Sequence, residues 1–248
     1  RETDWDHLVL SGDYLDTFLT IDNITAYSVR ETMRFLVELQ EKYGDRVTFL
    51  TGNHDLAYLG SYKPNGIPPR QNNYGCSGWT RSKAKEFNRH APQSWVDRLE
   101  LCIRLGDWVV VHAGFSENHF SPMLETWENI ERLHNAWEQD RPLLKSLYGD
   151  GDHWMNMVSR VRMGPDPYSS PVWLDFVEEF EPVKGLRQIV GHTSQPAVPK
   201  WHGVDNVCLD GMQTYYGVWE DNELTVRQAY TGEVCEMRDY SLERNETI

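Results

Sequence analysis

Short apolar runs, each closing on a polar turn that carries a glycine, recur along this chain. His7-Leu8-Val9-Leu10 leads into Ser11-Gly12-Asp13-Tyr14-Leu15-Asp16, and Val47-Thr48-Phe49-Leu50 into Thr51-Gly52-Asn53-His54-Asp55. Trp108-Val109-Val110-Val111 leads into His112-Ala113-Gly114, and Gln188-Ile189-Val190 into Gly191-His192-Thr193. Runs this short and this apolar predict strands of a sheet covered on both faces. Between the first two runs the period changes. Ser28 followed by Glu31 has the form of a capping box, Val29, Met33, Leu36 and Leu39 recur at helical spacing, and Gly44 stands where a helix would stop. Strand, helix and strand in that order predict a right-handed crossover between parallel strands.

The pattern then becomes irregular. Lys63-Pro64-Asn65-Gly66-Ile67-Pro68-Pro69 and Tyr74-Gly75-Cys76-Ser77-Gly78 read as loop, and Thr80 to Leu99 as a mixed, mainly helical stretch. A second polar helical region, rich in tryptophan (Trp127, Trp137, Trp154), fills 115–158, and Gly164-Pro165-Asp166-Pro167 is a turn. Val218-Trp219-Glu220 and Leu224-Thr225-Val226 flank Asp221-Asn222 as a hairpin would. No repeat or linker marks a second domain. One domain over 1–248 is expected, with inserts at about 57–100 and 115–158 placed as caps.

Charge narrows the function. The net charge is −14, a field that repels nucleic acid and anionic membrane, so neither is an expected partner. A phosphate-bearing substrate would need local cations, and bound metal is the obvious source. The four cysteines (Cys76, Cys102, Cys208, Cys235) form no CxxC pair, which argues against a disulfide framework and for a reducing, cytoplasmic setting. Cys208, within Val207-Cys208-Leu209, reads as core.

The polar residues behind the apolar runs form a donor set. Asp13 is an anionic oxygen able to bridge two cations, Asn53 a neutral carbonyl oxygen, and His112 and His192 are imidazoles. A mixed N/O set suits manganese, iron or zinc better than calcium or magnesium. His54, beside Asn53, would point elsewhere and act as a proton donor, with Asp55 behind it fixing the tautomer. Asp55 has a second reading as the cap of the next helix. Asp16 reads as structural rather than as a ligand. Each of these residues alone has an ordinary role in a turn or a core; their joint occurrence behind four apolar runs does not.

Gly12-Asp13-Tyr14-Leu15-Asp16, Gly52-Asn53-His54-Asp55, Val111-His112-Ala113-Gly114 and Gly191-His192-Thr193 resemble, in order, the GDxxD, GNHD/E, HAG/HGG and GH motifs of the calcineurin-like metallophosphoesterases. The likeness is to the phosphoprotein-phosphatase branch and its bacterial relatives, which include diadenosine-tetraphosphate hydrolases, and it spans about residues 5–215. It implies an α/β fold of two packed mixed β-sheets flanked by helices in four layers (α/β/β/α). It also implies two divalent metals, manganese first with iron or zinc as alternatives, that activate a water for in-line attack on phosphorus. Asp13 would be the bridging ligand, Asn53, His112 and His192 would complete one metal site, and His54 with Asp55 would form the catalytic acid.

Two features depart from the family pattern. No DxH string occurs, so the DxHG motif of the other metal site would fall upstream of Arg1 on a first strand absent from this sequence. After Asp16 the Arg-Gly of this branch is replaced by Thr17-Phe18. Arg162, with Arg160 close behind, is the expected substitute for that phosphate clamp, since an arginine fork pairs bidentately with phosphate oxygens. The expected activity is hydrolysis of phosphate monoesters on a phosphoprotein or a small ester. Dinucleoside polyphosphate hydrolysis and a non-catalytic relative with a single metal are the alternatives.

Overall fold

The computed structural model describes residues 5–16, 28–70, 76–144, 153–194, 199–202, 205–211, 214–235 and 238–239. These arrange as two compact units, one of 1–101 with 132–156, the other of 102–131 with 157–248.

The first unit is built on three strands, β1 (Leu8–Leu10), β2 (Val47–Leu50) and β3 (Leu99–Glu100), in the order β1-β2-β3 and parallel throughout. Helix α1 (Val29–Tyr43) joins β1 to β2, as the change of period predicts. Its capping box is formed: the Glu31 amide donates to Ser28 Oγ at 3.3 Å, and the Ser28 amide to the Glu31 carboxylate at 3.0 Å. Val29, Met33 and Leu36 are its buried face. Helix α2 (Asn53–Gly60) follows β2 directly, and α3 (Arg81–His90) and α4 (Gln93–Val96) occupy the stretch read as mixed. The core is aromatic. Trp95 stands edge-on to Tyr14 and Phe49 at 5.7 Å from each and to Phe87 at 6.3 Å, and large buried rings of this kind contribute packing beyond their area. The chain passes between the units within α5 (Thr126–Asp140), whose Trp137 is fully buried and donates to the Leu99 carbonyl at 2.8 Å.

The second unit carries a six-stranded mixed sheet. Its strands are β4 (Cys102–Leu105), β5 (Trp108–Val111), β6 (Arg187–Val190), β7 (Lys200–His202), β8 (Asn206–Cys208) and β11 (Arg238–Asp239), in the order β11-β7-β8-β6-β5-β4. β5 and β6 are parallel neighbours, and every residue of β5 is buried. The predicted hairpin is β9 (Tyr215–Glu220) with β10 (Glu223–Gln228). Asp221 and Asn222 both take positive φ (52° and 64°), as a two-residue turn matching strand twist requires.

The expected class, α/β with helices flanking more than one sheet, is the class observed. The three described strands of the first sheet are parallel, where a mixed sheet was expected. Among the described residues, no helix is long and apolar enough to cross a membrane.

Candidate active site

In the first unit, parallel pairing sets Leu10 opposite Phe49, so β1 and β2 end side by side and the turns behind them touch. Tyr14 ties the two ends together, donating from its hydroxyl to the carbonyls of Leu10 (3.0 Å) and Leu50 (2.8 Å). Asp13 sits in the left-handed region (φ 60°), which Asp tolerates better than most residues. A Cβ on Gly52 would lie 2.1 Å from Asp13 Oδ1 and 2.6 Å from its amide nitrogen, so only glycine fits there. Asn53 is buried at the first residue of α2.

Asp55 does not face the ring of His54. Its carboxylate accepts from the amides of Asp13 (2.6 Å), Tyr14 (3.0 Å) and Gly52 (2.9 Å). The cause is local. At the third position of α2 a carboxylate turns back onto the free amides of the helix start, so the capping reading holds and Asp55 as partner of His54 is corrected. Burial pushes the Asp55 carboxyl above the usual range, with the charge of Asp13 acting the same way and the three amides opposing.

The partner of His54 is Asp16, whose Oδ2 lies 3.0 Å from His54 Nδ1. Asp16 is fully enclosed and splits its oxygens. Oδ1 takes Tyr58 Oη (2.9 Å) and Lys83 Nζ (2.5 Å), and Oδ2 faces His54 and, at 3.5 Å, the Cys76 thiol. Burial alone would raise Asp16, but bonds from His54, Lys83 and Tyr58 outweigh it and hold the carboxyl below its usual value. Burial also opposes protonation of His54, yet Asp16, Cys76 (Sγ 2.8 Å from Nδ1) and the charge of Asp13 raise the ring to about 10. The ring is therefore held as a proton donor across neutral pH. Asp16 closes the GDxxD string, which was its signal in the sequence; Cys76, Tyr58 and Lys83 carried none.

In the second unit, β5 and β6 again end side by side, and the Gly191 amide donates to the His112 carbonyl at 2.7 Å. His112 is buried and His192 half-buried with φ 62°, an uncommon conformation for histidine that concentrates at functional loops. Their ring centroids are 5.2 Å apart, with the planes at 59°. Two imidazoles on one tetrahedral ion, with metal–nitrogen bonds of about 2.0–2.1 Å, have centroids roughly 5 Å apart, so this pair fits a shared metal. Trp173 stands edge-on to His192 at 5.9 Å. The buried Cys208 thiol donates to the carbonyls of Gly191 (3.3 Å) and Thr193 (3.4 Å); burial pushes it up to about 12, so it serves as a fixed support for the loop.

Arg162 is placed beside that loop. Its Nη2 donates to Thr193 Oγ1 (3.0 Å) and pairs with Asp175 Oδ2 at 2.9 Å. Arg160, at the other end of the same short 3-10 turn, is exposed. His119 is buried, its Nε2 2.7 Å from the Ser169 carbonyl, and burial lowers it to about 4, which makes it a neutral framework residue.

The profile of the family described as calcineurin-like phosphoesterase matches residues 1–196. Among solved structures, the cold-active protein-tyrosine phosphatase of a psychrophile, Shewanella sp., aligns with a TM-score of 0.58 and 18% identity, covering 92% of this chain and 68% of that one. A further structure of a cold-active protein tyrosine phosphatase gives 0.58 and 18% over 95% and 69%, and a point mutant of such an enzyme 0.60 and 19% over 92% and 68%. At these identities the likeness is one of fold. No curated protein sequence matches the chain. With a family profile over most of its length, and a pair of imidazoles spaced for a metal on adjoining strand ends, this chain belongs to the calcineurin-like phosphoesterases and is a metal-dependent phosphoester hydrolase.

Proposed function

We propose that the chain hydrolyses phosphate monoesters, with a phosphorylated protein side chain as its substrate class and His54 as the acid that protonates the leaving oxygen. The observation that carries this reading is the 3.0 Å contact between His54 Nδ1 and the enclosed carboxylate of Asp16. It fixes the ring and keeps it protonated, which an alkoxide leaving group needs and an activated one does not. The solved structures of similar fold are named as protein tyrosine phosphatases, which favours a phosphoprotein over a dinucleotide.

Asp13, Asn53, His112 and His192 are the proposed metal ligands, with manganese the first choice for their mixed N/O chemistry. The metal, when bound, supplies Lewis-acid polarisation of the phosphoryl group and a water of lowered pKa. The chain supplies the remainder. The His54 amide donates to Asp13 Oδ1 at 3.0 Å, so one short segment orients both the carboxylate and the acid. Arg162, held by Asp175 and Thr193, is the proposed phosphate contact, with Arg160 as its exposed neighbour.

Turnover of a phosphopeptide, an alkyl phosphate and diadenosine tetraphosphate by the manganese-loaded protein tests this. The reading expects the monoesters to be hydrolysed with the higher kcat/KM. A clear preference for the dinucleotide would replace the substrate class.

A further inference from the structure

The contact between Cys76 and His54 has a consequence beyond its part in raising the ring. Cys76 Sγ lies 2.8 Å from His54 Nδ1 and 3.5 Å from Asp16 Oδ2, and Asp16 Oδ2 lies 3.0 Å from the same nitrogen. One Nδ1–H can be directed at only one of these two neighbours, so a soft sulfur, an imidazole nitrogen and a carboxylate oxygen crowd a single point. All three side chains belong to the first unit.

We propose that Cys76, His54 and Asp16 form a second metal site that takes a thiophilic divalent cation such as zinc, and that filling it, with release of the Cys76 thiol proton and the His54 Nδ1 proton to solvent, switches the enzyme off because the metal-bound ring can no longer act as an imidazolium acid. The inhibitory half rests on the acid role assigned to His54; the binding half does not.

The donor set is of the kind zinc takes, one thiolate, one imidazole and one carboxylate. With Zn–S of about 2.3 Å and Zn–N and Zn–O of about 2.0–2.1 Å, tetrahedral ligands sit roughly 3.3–3.6 Å apart. The observed separations of 2.8, 3.0 and 3.5 Å reach those values with shifts well under one bond length. Asp16 has an oxygen to give: Lys83 and Tyr58 take Oδ1, leaving Oδ2 on the cluster. Lys83 places a positive charge nearby, but on the far oxygen. The same enclosure holds the backbone close, since a Cβ on Gly78 would meet Asp16 Cγ at 2.4 Å. Cys76 is half-buried, which gives an ion a route in. The thiolate sets this site apart from the Asp13, Asn53, His112 and His192 set, which contains no sulfur.

Cobalt titrated into the full manganese-loaded chain reads the site directly, because a thiolate ligand gives a sulfur-to-cobalt charge-transfer band that nitrogen and oxygen ligands do not. The band is expected in the parent and in Cys235→Ala, and absent in Cys76→Ala. Zinc is expected to inhibit hydrolysis of an alkyl phosphate by the parent. In Cys76→Ala, with each rate taken relative to that variant's own zinc-free, manganese-supported rate, inhibition should weaken by more than the roughly 10–100-fold that loss of an outer-shell partner brings. A parent without the band, or a Cys76→Ala protein that retains it, overturns the site. A band lost in Cys76→Ala, with zinc leaving parent turnover untouched, upholds the site and removes His54 as the acid.

Discussion

His54 Nδ1 lies 3.0 Å from Oδ2 of Asp16, a residue that closes the turn behind the neighbouring strand. The pair forms only because β1 and β2 run parallel and end at the same level. It replaces the neighbour in sequence, Asp55, whose carboxylate is committed to the start of α2. The consequences of this geometry can be measured.

Removing the ring should separate two classes of substrate. His54→Ala is expected to lower kcat on an alkyl phosphate by roughly 10²–10⁴-fold, the range for loss of a positioned acid. A nitrophenyl phosphate, whose leaving group needs no proton, should lose far less. Metal content, read by elemental analysis, should stay at the parent level. Equal losses on both substrates would reject His54 as the acid.

The pH profile follows from the direction of the His54 shift. The acid works in its protonated form, and its value is raised to about 10, so kcat on the alkyl phosphate should fall only as pH climbs through that value. Asp16→Asn deletes the chief partner that raises it, and burial then acts with less opposition. The descending limb should therefore move to lower pH in Asp16→Asn. A limb that stays where it is in the parent would dissociate Asp16 from the acid.

Gly52→Ala is expected to weaken metal binding by about 10–100-fold, the range for disturbing an outer-shell support. The new methyl would lie 2.1 Å from Asp13 Oδ1 and displace that carboxylate or its backbone. Isothermal titration with Mn2+ reads the effect, and thermal unfolding separates it from general destabilisation. Parent affinity in this variant would show that Asp13 does not bind the ion.

Arg162→Ala should weaken inhibition by inorganic phosphate by about 10–100-fold, as expected for loss of charge-assisted hydrogen bonds worth about 1.5–3 kcal/mol. Arg160→Ala, at an exposed position, should have a much smaller effect. Product-inhibition constants for the two variants give the comparison, and a larger effect at Arg160 would reassign the clamp.

Much of the scaffold was legible because its signals are local. The capping box of Ser28 and Glu31 formed as read, and Asp221-Asn222 turned the hairpin. The four apolar runs became β1, β2, β5 and β6. What escaped depends on distance along the chain. Adjacency suggested Asp55 for His54, but the start of a helix draws a carboxylate at its third position back onto free amides, and that local demand won. Cys76 and Lys83 reach Asp16 across 60 and 67 residues, and no spacing rule announces such contacts. Asp175 and Thr193, which hold Arg162, escaped for the same reason, since they sit on separate loops that only the folded sheet brings to one side chain.

Asp13 is the proposed anchor of a metal centre on which hydrolysis depends. The most direct measurement is the metal content and phosphatase activity of Asp13→Asn beside the parent, both purified without added metal and then given Mn2+. The variant should fail to retain the ion and fail to hydrolyse the monoester. An Asp13→Asn protein that holds its full metal complement and turns over at the parent rate would show that Asp13 is not a ligand and that hydrolysis does not depend on it.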